Sequence, residues 1–225
     1  MKTWVISVGG SMIAPDDVDA KFIDNFHDLI LKYPKDKFVV ITGGGATARR
    51  YIGALRKFGK GKKDLAEYGI AIGRMHASLL SNIFGKRANH TRPKSLKNVK
   101  NLLEKNQIVF TGALRFHDNM TSDGTAADIA AYLDCPFINL TNIRGLYTSD
   151  PKKNKTAKFI PKITWKKFNR IAQSMEFKAG QHFVLDQSAA KRILIEKIPT
   201  YITGSLADLK KILSGKSFKG TLIKG

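Results

Sequence analysis

Three short stretches of the sequence carry residue types suited to holding phosphate. Gly9-Gly10-Ser11, Gly43-Gly44-Gly45 and Thr121-Ser122-Asp123-Gly124 each come after an apolar run, and the second leads within about one helical turn to Arg49. Glycine lets backbone N–H groups come close to phosphate oxygens, and the amino end of a helix adds a favourable dipole. Arg49 can fork onto a phosphate with two donors. Gly43, Gly45 and Ala48 also satisfy G-x-G-x-x-G/A, the dinucleotide-binding spacing. That reading needs an acidic residue about twenty positions on, at the end of the next strand. Asp64 and Glu67 stand at that distance but open a helical pattern. No G-x-x-x-x-G-K-S/T is present, which excludes an ordinary P-loop. The second stretch therefore reads as a phosphate cradle, not a dinucleotide site.

The elements that must position these residues alternate in type. Trp4 to Val8, Phe38 to Ile41, Ile108 to Thr111 and Phe137 to Leu140 read as strands, with shorter ones at Tyr201-Ile202 and Leu222-Ile223. Helical patterns run from Phe22 to Leu31, from about Asp64 to Phe84, from Ser122 to about Leu133, from Trp165 to Met175 and from Ala189 to Ile195. Ser205 and Asp208 have capping-box spacing ahead of a last helix. Lys86 to Lys100 reads as a basic loop, and Thr148 to Lys158 as a polar hairpin excursion. Alternating strands and helices predict a mostly parallel sheet covered on both faces, in one domain of two lobes. In such a sheet the three phosphate-binding stretches fall at the carboxyl ends of strands, the edge where α/β proteins bind ligands.

Composition bounds the partners. Lysine and arginine number 39 against 18 acidic residues, a formal charge of +21. The cations are scattered from Lys2 to Lys224 with no basic stripe interleaved with aromatics, so they read as a solvated surface that favours anionic substrates, not as a nucleic-acid site. The single Cys135, set between Asp134 and Pro136, excludes an internal disulfide and suits a reducing cytoplasm. No signal-peptide pattern and no run of membrane-spanning length are present, so a soluble protein with no membrane partner is expected.

Over nearly the whole chain the residues resemble the archaeal-type UMP kinases of the amino acid kinase superfamily. VGGSM is similar to that family's first glycine loop, ITGGGATARRYI to its second and TSDGTAADIAAYL to its acceptor-side helix start. TNIRGLYTSDPKKNKTAKF closely resembles its nucleotide-binding segment, KAGQHFVLDQSAAKRI its late strand-turn-helix, and GTLI its closing strand. The resemblance implies a three-layer αβα sandwich, a homohexamer, and transfer of the γ-phosphoryl of ATP to UMP with Mg²⁺, giving UDP for pyrimidine nucleotide synthesis. It places acceptor binding in an amino-terminal lobe, about 1–135, and ATP binding in a carboxy-terminal lobe, about 136–225. By position, Gly9, Gly10, Gly45 and Arg49 stand at the phosphate end of the ATP site, and Thr141, Asn142, Tyr147 and Asp150 at its nucleoside end. Gly44, Leu114, Arg115, Thr121 and Ser122 stand where UMP is held. Arg49 and Asp186 are the expected catalytic residues; no residue is assigned as a metal ligand. Asp186 has a second reading as the cap of the helix after it, Asp150 as an Asx turn before Pro151, and Lys191 as one more surface lysine.

Four positions depart from the family pattern. Ser7 stands where many relatives have a lysine, and Ala66 where the family has an aspartate for the UMP ribose. The loop from Leu114 to Met120 is longer than usual and brings Arg115, Phe116 and His117, and Arg144 replaces a common aspartate. These differences keep two other readings open. One is a kinase of the same fold for another small phosphorylated acceptor, such as isopentenyl or aminomethylfuran phosphate. The other is a non-catalytic relative that binds nucleotide or nucleic acid.

Overall fold

Along Thr3–Val8, residues Trp4, Ile6 and Val8 pack into one apolar cluster and Val5 into another, as the period of two in a strand requires. The same split runs through the neighbouring strands and gives the molecule two cores, one on each face of a sheet. The computed structural model describes residues 1–116, 120–149, 151, 154–174 and 184–225. Strand β1 (Thr3–Val8) leads through the single turn α1 (Gly10–Ile13) to α2 (Ala20–Leu31), β2 (Lys37–Thr42), α3 (Gly45–Lys57) and the long α4 (Lys62–Phe84). Next come α5 (Leu96–Lys105), β3 (Ile108–Thr111), α6 (Ser122–Tyr132) and β4 (Phe137–Leu140). The chain continues through β5 (Leu146–Tyr147), β6 (Phe159–Ile160), β7 (Lys162–Ile163), α7 (Trp165–Gln173) and α8 (Gln187–Ile195). It closes with β8 (Thr200–Thr203), α9 (Leu206–Leu213) and β9 (Thr221–Ile223).

The sheet order is β3-β2-β1-β4-β8-β9-β7. From β3 to β8 every pairing is parallel; β9 runs antiparallel to β8 and parallel to β7. Helices α5, α6, α7 and α8 cover one face, with Phe137, Phe168 and Ile193 among the residues that fill the core. Helices α2, α4 and α9 cover the other, around Phe26, Leu80 and Phe110. This is the expected three-layer αβα sandwich around a mostly parallel sheet. The hairpin expected around Thr148 to Lys158 is also present, with Leu146 opposite Ile160 and Tyr147 opposite Phe159.

Three expectations are corrected. Lys86 to Lys100 is not all loop: Ser95 accepts a hydrogen bond from Asn98 N and starts α5 inside it. That helix turns Leu96, Val99, Leu102 and Leu103 to the core, with Val99 and Leu103 fully buried. The short strand β7 was not expected; it pairs along β9 through two residues. The helix expected to reach Met175 runs to Gln173, and Met175 lies outside the described residues.

Candidate active site

Strands β1 and β2 end side by side, Val8 opposite Thr42, and their register brings the first two glycine stretches into contact. Gly43 N donates to Val8 O at 3.2 Å. A Cβ added to Gly10 would overlap the backbone of Gly43 and Gly45, so only glycine permits this approach. Gly45 has φ +60°, a left-handed conformation that side chains rarely tolerate. The third stretch closes on the same point: a Cβ on Gly43 would lie 3.1 Å from Ser122 Oγ. All three stretches thus meet at the carboxyl edge of the parallel strands.

The helix starts differ in a way that suits an anion. Asp19, Ser95, Thr121, Thr164, Asp186 and Ser205 cap α2, α5, α6, α7, α8 and α9 through their side chains. Gly9, Gly44 and Gly61, which open α1, α3 and α4, provide no such cap, and the first two lie at the cradle. Met12 N is taken by Gly9 O at 2.8 Å, and the N–H groups ahead of it and at the start of α3 face no capping side chain. Arg49 is exposed on α3 and makes no ion pair among the described residues, while Arg50 beside it pairs with Asp16 at 2.9 Å.

Two carboxylates stand behind the cradle. Asp186 is buried and accepts from Thr121 N at 2.8 Å, Thr121 Oγ1 at 2.6 Å and Gly124 N at 3.1 Å, and from Ala189 N at 2.7 Å. It therefore ties the starts of α6 and α8 together, which is the capping reading made double. Asp123 accepts from Ser7 Oγ at 2.7 Å. Burial, and then the charge of Asp186, raise the Asp123 carboxyl from 3.8 to about 7, against the opposing Ser7 hydrogen bond. Ser7 is 1% exposed, so this position of β1 places a buried hydroxyl that holds a carboxylate.

The remaining expected residues divide by position. Thr141 N is engaged with Thr203 O at 3.0 Å, Asn142 is exposed, and the Tyr147 ring meets Phe159 edge-on at 5.4 Å. Arg144 lies over the other ring of that hairpin, 4.3 Å from the centroid of Phe159, in a cation–π contact. On the acceptor side, Leu114 is half-buried and Arg115 exposed; Thr121 caps α6 and Ser122 faces Gly43. Lys191 is exposed on α8. Asp150 and residues 117–119, with His117, lie outside the described residues. Near the expected ribose position, Ala66 is half-buried, Asp64 accepts from Gly61 N at 3.3 Å, and Glu67 is exposed.

Three residues of the site were not singled out from the sequence. Asp123 was visible only as part of the third stretch. Arg74 donates from Nε to Ala113 O at 3.1 Å and from Nη2 to Leu114 O at 2.7 Å, which holds the start of the loop that begins at Leu114. His76 contacts Gly43 O at 2.9 Å. Neither helical residue carried a signal, because its role depends on which loop packs against α4. Among the described residues no three His, Cys, Asp or Glu side chains gather as a metal cage, and no helix is long and apolar enough to cross a membrane.

Residues 2–204 match the amino acid kinase family. The chain is similar to a uridylate kinase of Thermococcus kodakarensis, 35% identical over 224 residues that cover 98% of each chain. It is similar to one of Thermoplasma volcanium, 31% identical over 94% of this chain and 93% of the other. The crystal structure of uridylate kinase from Archaeoglobus fulgidus superposes with a TM-score of 0.85 at 30% identity, over 99% of this chain and 100% of that one.

Proposed function

The chain belongs to the amino acid kinase family, and we infer that within it this protein is a uridylate kinase, a nucleoside monophosphate kinase that transfers the γ-phosphoryl of ATP to UMP. One observation carries the reading. In a chain matched end to end by uridylate kinases, three loops and two uncapped helix starts converge on one point at the carboxyl edge of the sheet. Phosphoryl transfer asks the protein mainly for positioning and charge neutralisation. The N–H groups of Gly9 to Ser11 and Gly44 to Gly45 serve the first need, and Arg49 the second. We assign ATP to the side of Gly9, Gly10 and the Tyr147–Phe159 hairpin, and UMP to Gly44, Thr121, Ser122 and the loop that starts at Leu114. Thr141 and Asn142 flank the nucleoside end, and Asp186 acts by holding Thr121 and Gly124 in place.

Mg²⁺ fits this site as a companion of ATP. With no protein cage among the described residues, its ligands come chiefly from the phosphates. The ion would neutralise charge on the transferred group. We further propose a cytoplasmic homohexamer that supplies UDP to pyrimidine nucleotide synthesis. A face of α4 that exposes Tyr68, Met75 and Ile83 at helical spacing favours self-association.

Initial rates of ADP release from Mg-ATP over UMP, CMP, AMP, GMP and small organic phosphates test the assignment. UMP is expected to exceed every other acceptor. A faster organic phosphate would keep the ATP half of the site and replace the acceptor, an outcome to which Ala66 gives specific weight. No turnover on any acceptor would overturn the kinase reading.

A further inference from the structure

His76 lies on the inner side of α4, 2% exposed, with Nδ1 2.9 Å from the carbonyl oxygen of Gly43. The carbonyl has no hydrogen to give, so Nδ1 is the donor. The direction of this particular peptide matters for the cradle. Within a planar trans peptide, the Gly43 C=O and the Gly44 N–H point in opposite directions. Glycines on both sides remove the Cβ clashes that elsewhere select one orientation, so the local sequence leaves the plane free to turn over. Turned over, it would aim a carbonyl oxygen at the phosphate and take an N–H away.

The surroundings make His76 a fixed point for that plane. Thr42 Oγ1 donates to Gly73 O at 2.7 Å and ties the end of β2 to the preceding turn of α4. A Cβ on Gly73 would lie 2.8 Å from Thr42 O, so helix and strand are already in close contact here. Gly10 packs against Gly43 O from the neighbouring loop. The imidazole is the side chain that gives this oxygen a hydrogen-bond donor, and Gly44 itself starts α3 without a side-chain cap.

We propose that His76 is a positioning residue for phosphoryl transfer: it sets the polarity of the Gly43–Gly44 peptide so that the Gly44 N–H faces the substrate phosphate. The proposal rests on the assignment of Gly44 to the phosphate site. It separates His76 from residues that merely fill the core, because what matters is the donor at the Nδ1 position and not the volume of the ring.

Two variants of matched shape test it. In His76→Asn the amide Nδ2 can take the place of Nδ1, whereas His76→Leu has the same branching with no donor. The Leu variant is expected to raise KM for UMP at least tenfold, with a smaller change in kcat and an unchanged circular dichroism spectrum. The Asn variant is expected to stay within about threefold of wild type, as a conservative hydrogen-bond replacement should. Equal behaviour of the two variants, whether both active or both impaired, would overturn the proposal. If the Leu variant does not fold, His76→Phe takes its place and the same split is required. Wild type is measured alongside with UMP and Mg-ATP. If wild type neither binds nor phosphorylates UMP, the acceptor assignment fails instead, and the Asn-against-Leu comparison is then read on Mg-ATP affinity.

Discussion

At the scale of single residues, the site works through what each charge is left free to do. Arg50 is occupied by Asp16, whereas Arg49, the next residue back, has no anionic partner among the described residues. Arg49→Ala is therefore expected to lower kcat/KM by at least tenfold, about 1.4 kcal/mol of transition-state stabilisation. Its thermal midpoint should hold, since no contact is lost. Arg50→Ala is the control, and steady-state kinetics that fail to distinguish the two would contradict the role of Arg49. Asp123 is the opposite case, a carboxyl held up to about 7 by burial and by Asp186. Between its ordinary value of 3.8 and about 7, the folded protein keeps a proton that the unfolded chain has already released. Stability from this group is thus present at the acid end and falls as pH rises through the window. Asp123→Asn removes the penalty. It is expected to be more stable than wild type above pH 7, by roughly 1–3 kcal/mol once solvent screening is allowed for, and no more stable near pH 4. Urea unfolding at the two pH values measures the difference.

At the scale of elements, α4 and β3 hold together the side to which the acceptor is assigned by proposal. Strand β3 is an edge strand; Ala88 forms a single parallel backbone bridge with Ile108, and the Asn89 side chain closes the ladder groups of Phe110. The buried Asn89 amide donates to Phe110 O at 3.0 Å and to Thr91 O at 2.9 Å, and accepts from Phe110 N at 2.7 Å. Asn89→Ala leaves these groups unpaired and is expected to cost about 2–4 kcal/mol of unfolding free energy. A loss under about 1 kcal/mol in denaturant titration would mean that water replaces the amide. Most of the elements were legible in the sequence for a simple reason. Phe38 to Ile41 and Phe137 to Leu140 are apolar runs punctuated by glycine, proline or polar turns, and a parallel sheet buried on both faces demands such runs. Helix α5 was missed although Leu96, Val99, Leu102 and Leu103 recur at helical spacing, because the basic residues and Pro93 ahead of them read as loop. The glycine stretches declared the cradle, since their conformations are local. The charge state of Asp123, the double capping by Asp186 and the contacts of Arg74 and His76 depend on partners remote in sequence. No spacing rule encodes them.

At the scale of the molecule, the surface must reconcile a charge of +21 with the self-association proposed above. The apolar residues Tyr68, Met75 and Ile83 are 45%, 54% and 43% exposed on α4. Burying them against a second copy would remove apolar area from water, while like charges on the two copies repel. Light scattering is expected to give six times the chain mass of 25.0 kDa, with assembly tightened by salt that screens the repulsion. Met75→Lys should shift the particle to smaller species; a monomer at all salt concentrations would remove the hexamer from the account. The basic surface has a second effect, since it raises the local concentration of both polyanionic substrates around the cradle.

The most direct test of the central claim is where the two nucleotides sit. A crystal structure with UMP and a non-hydrolysable ATP analogue is expected to place the UMP phosphate against Gly44, Thr121 and Ser122. The analogue's terminal phosphates are expected over Gly9 to Ser11, with Arg49 within hydrogen-bonding reach of the phosphates. UMP bound elsewhere on the basic surface, with the glycine cradle left to solvent, would contradict the account.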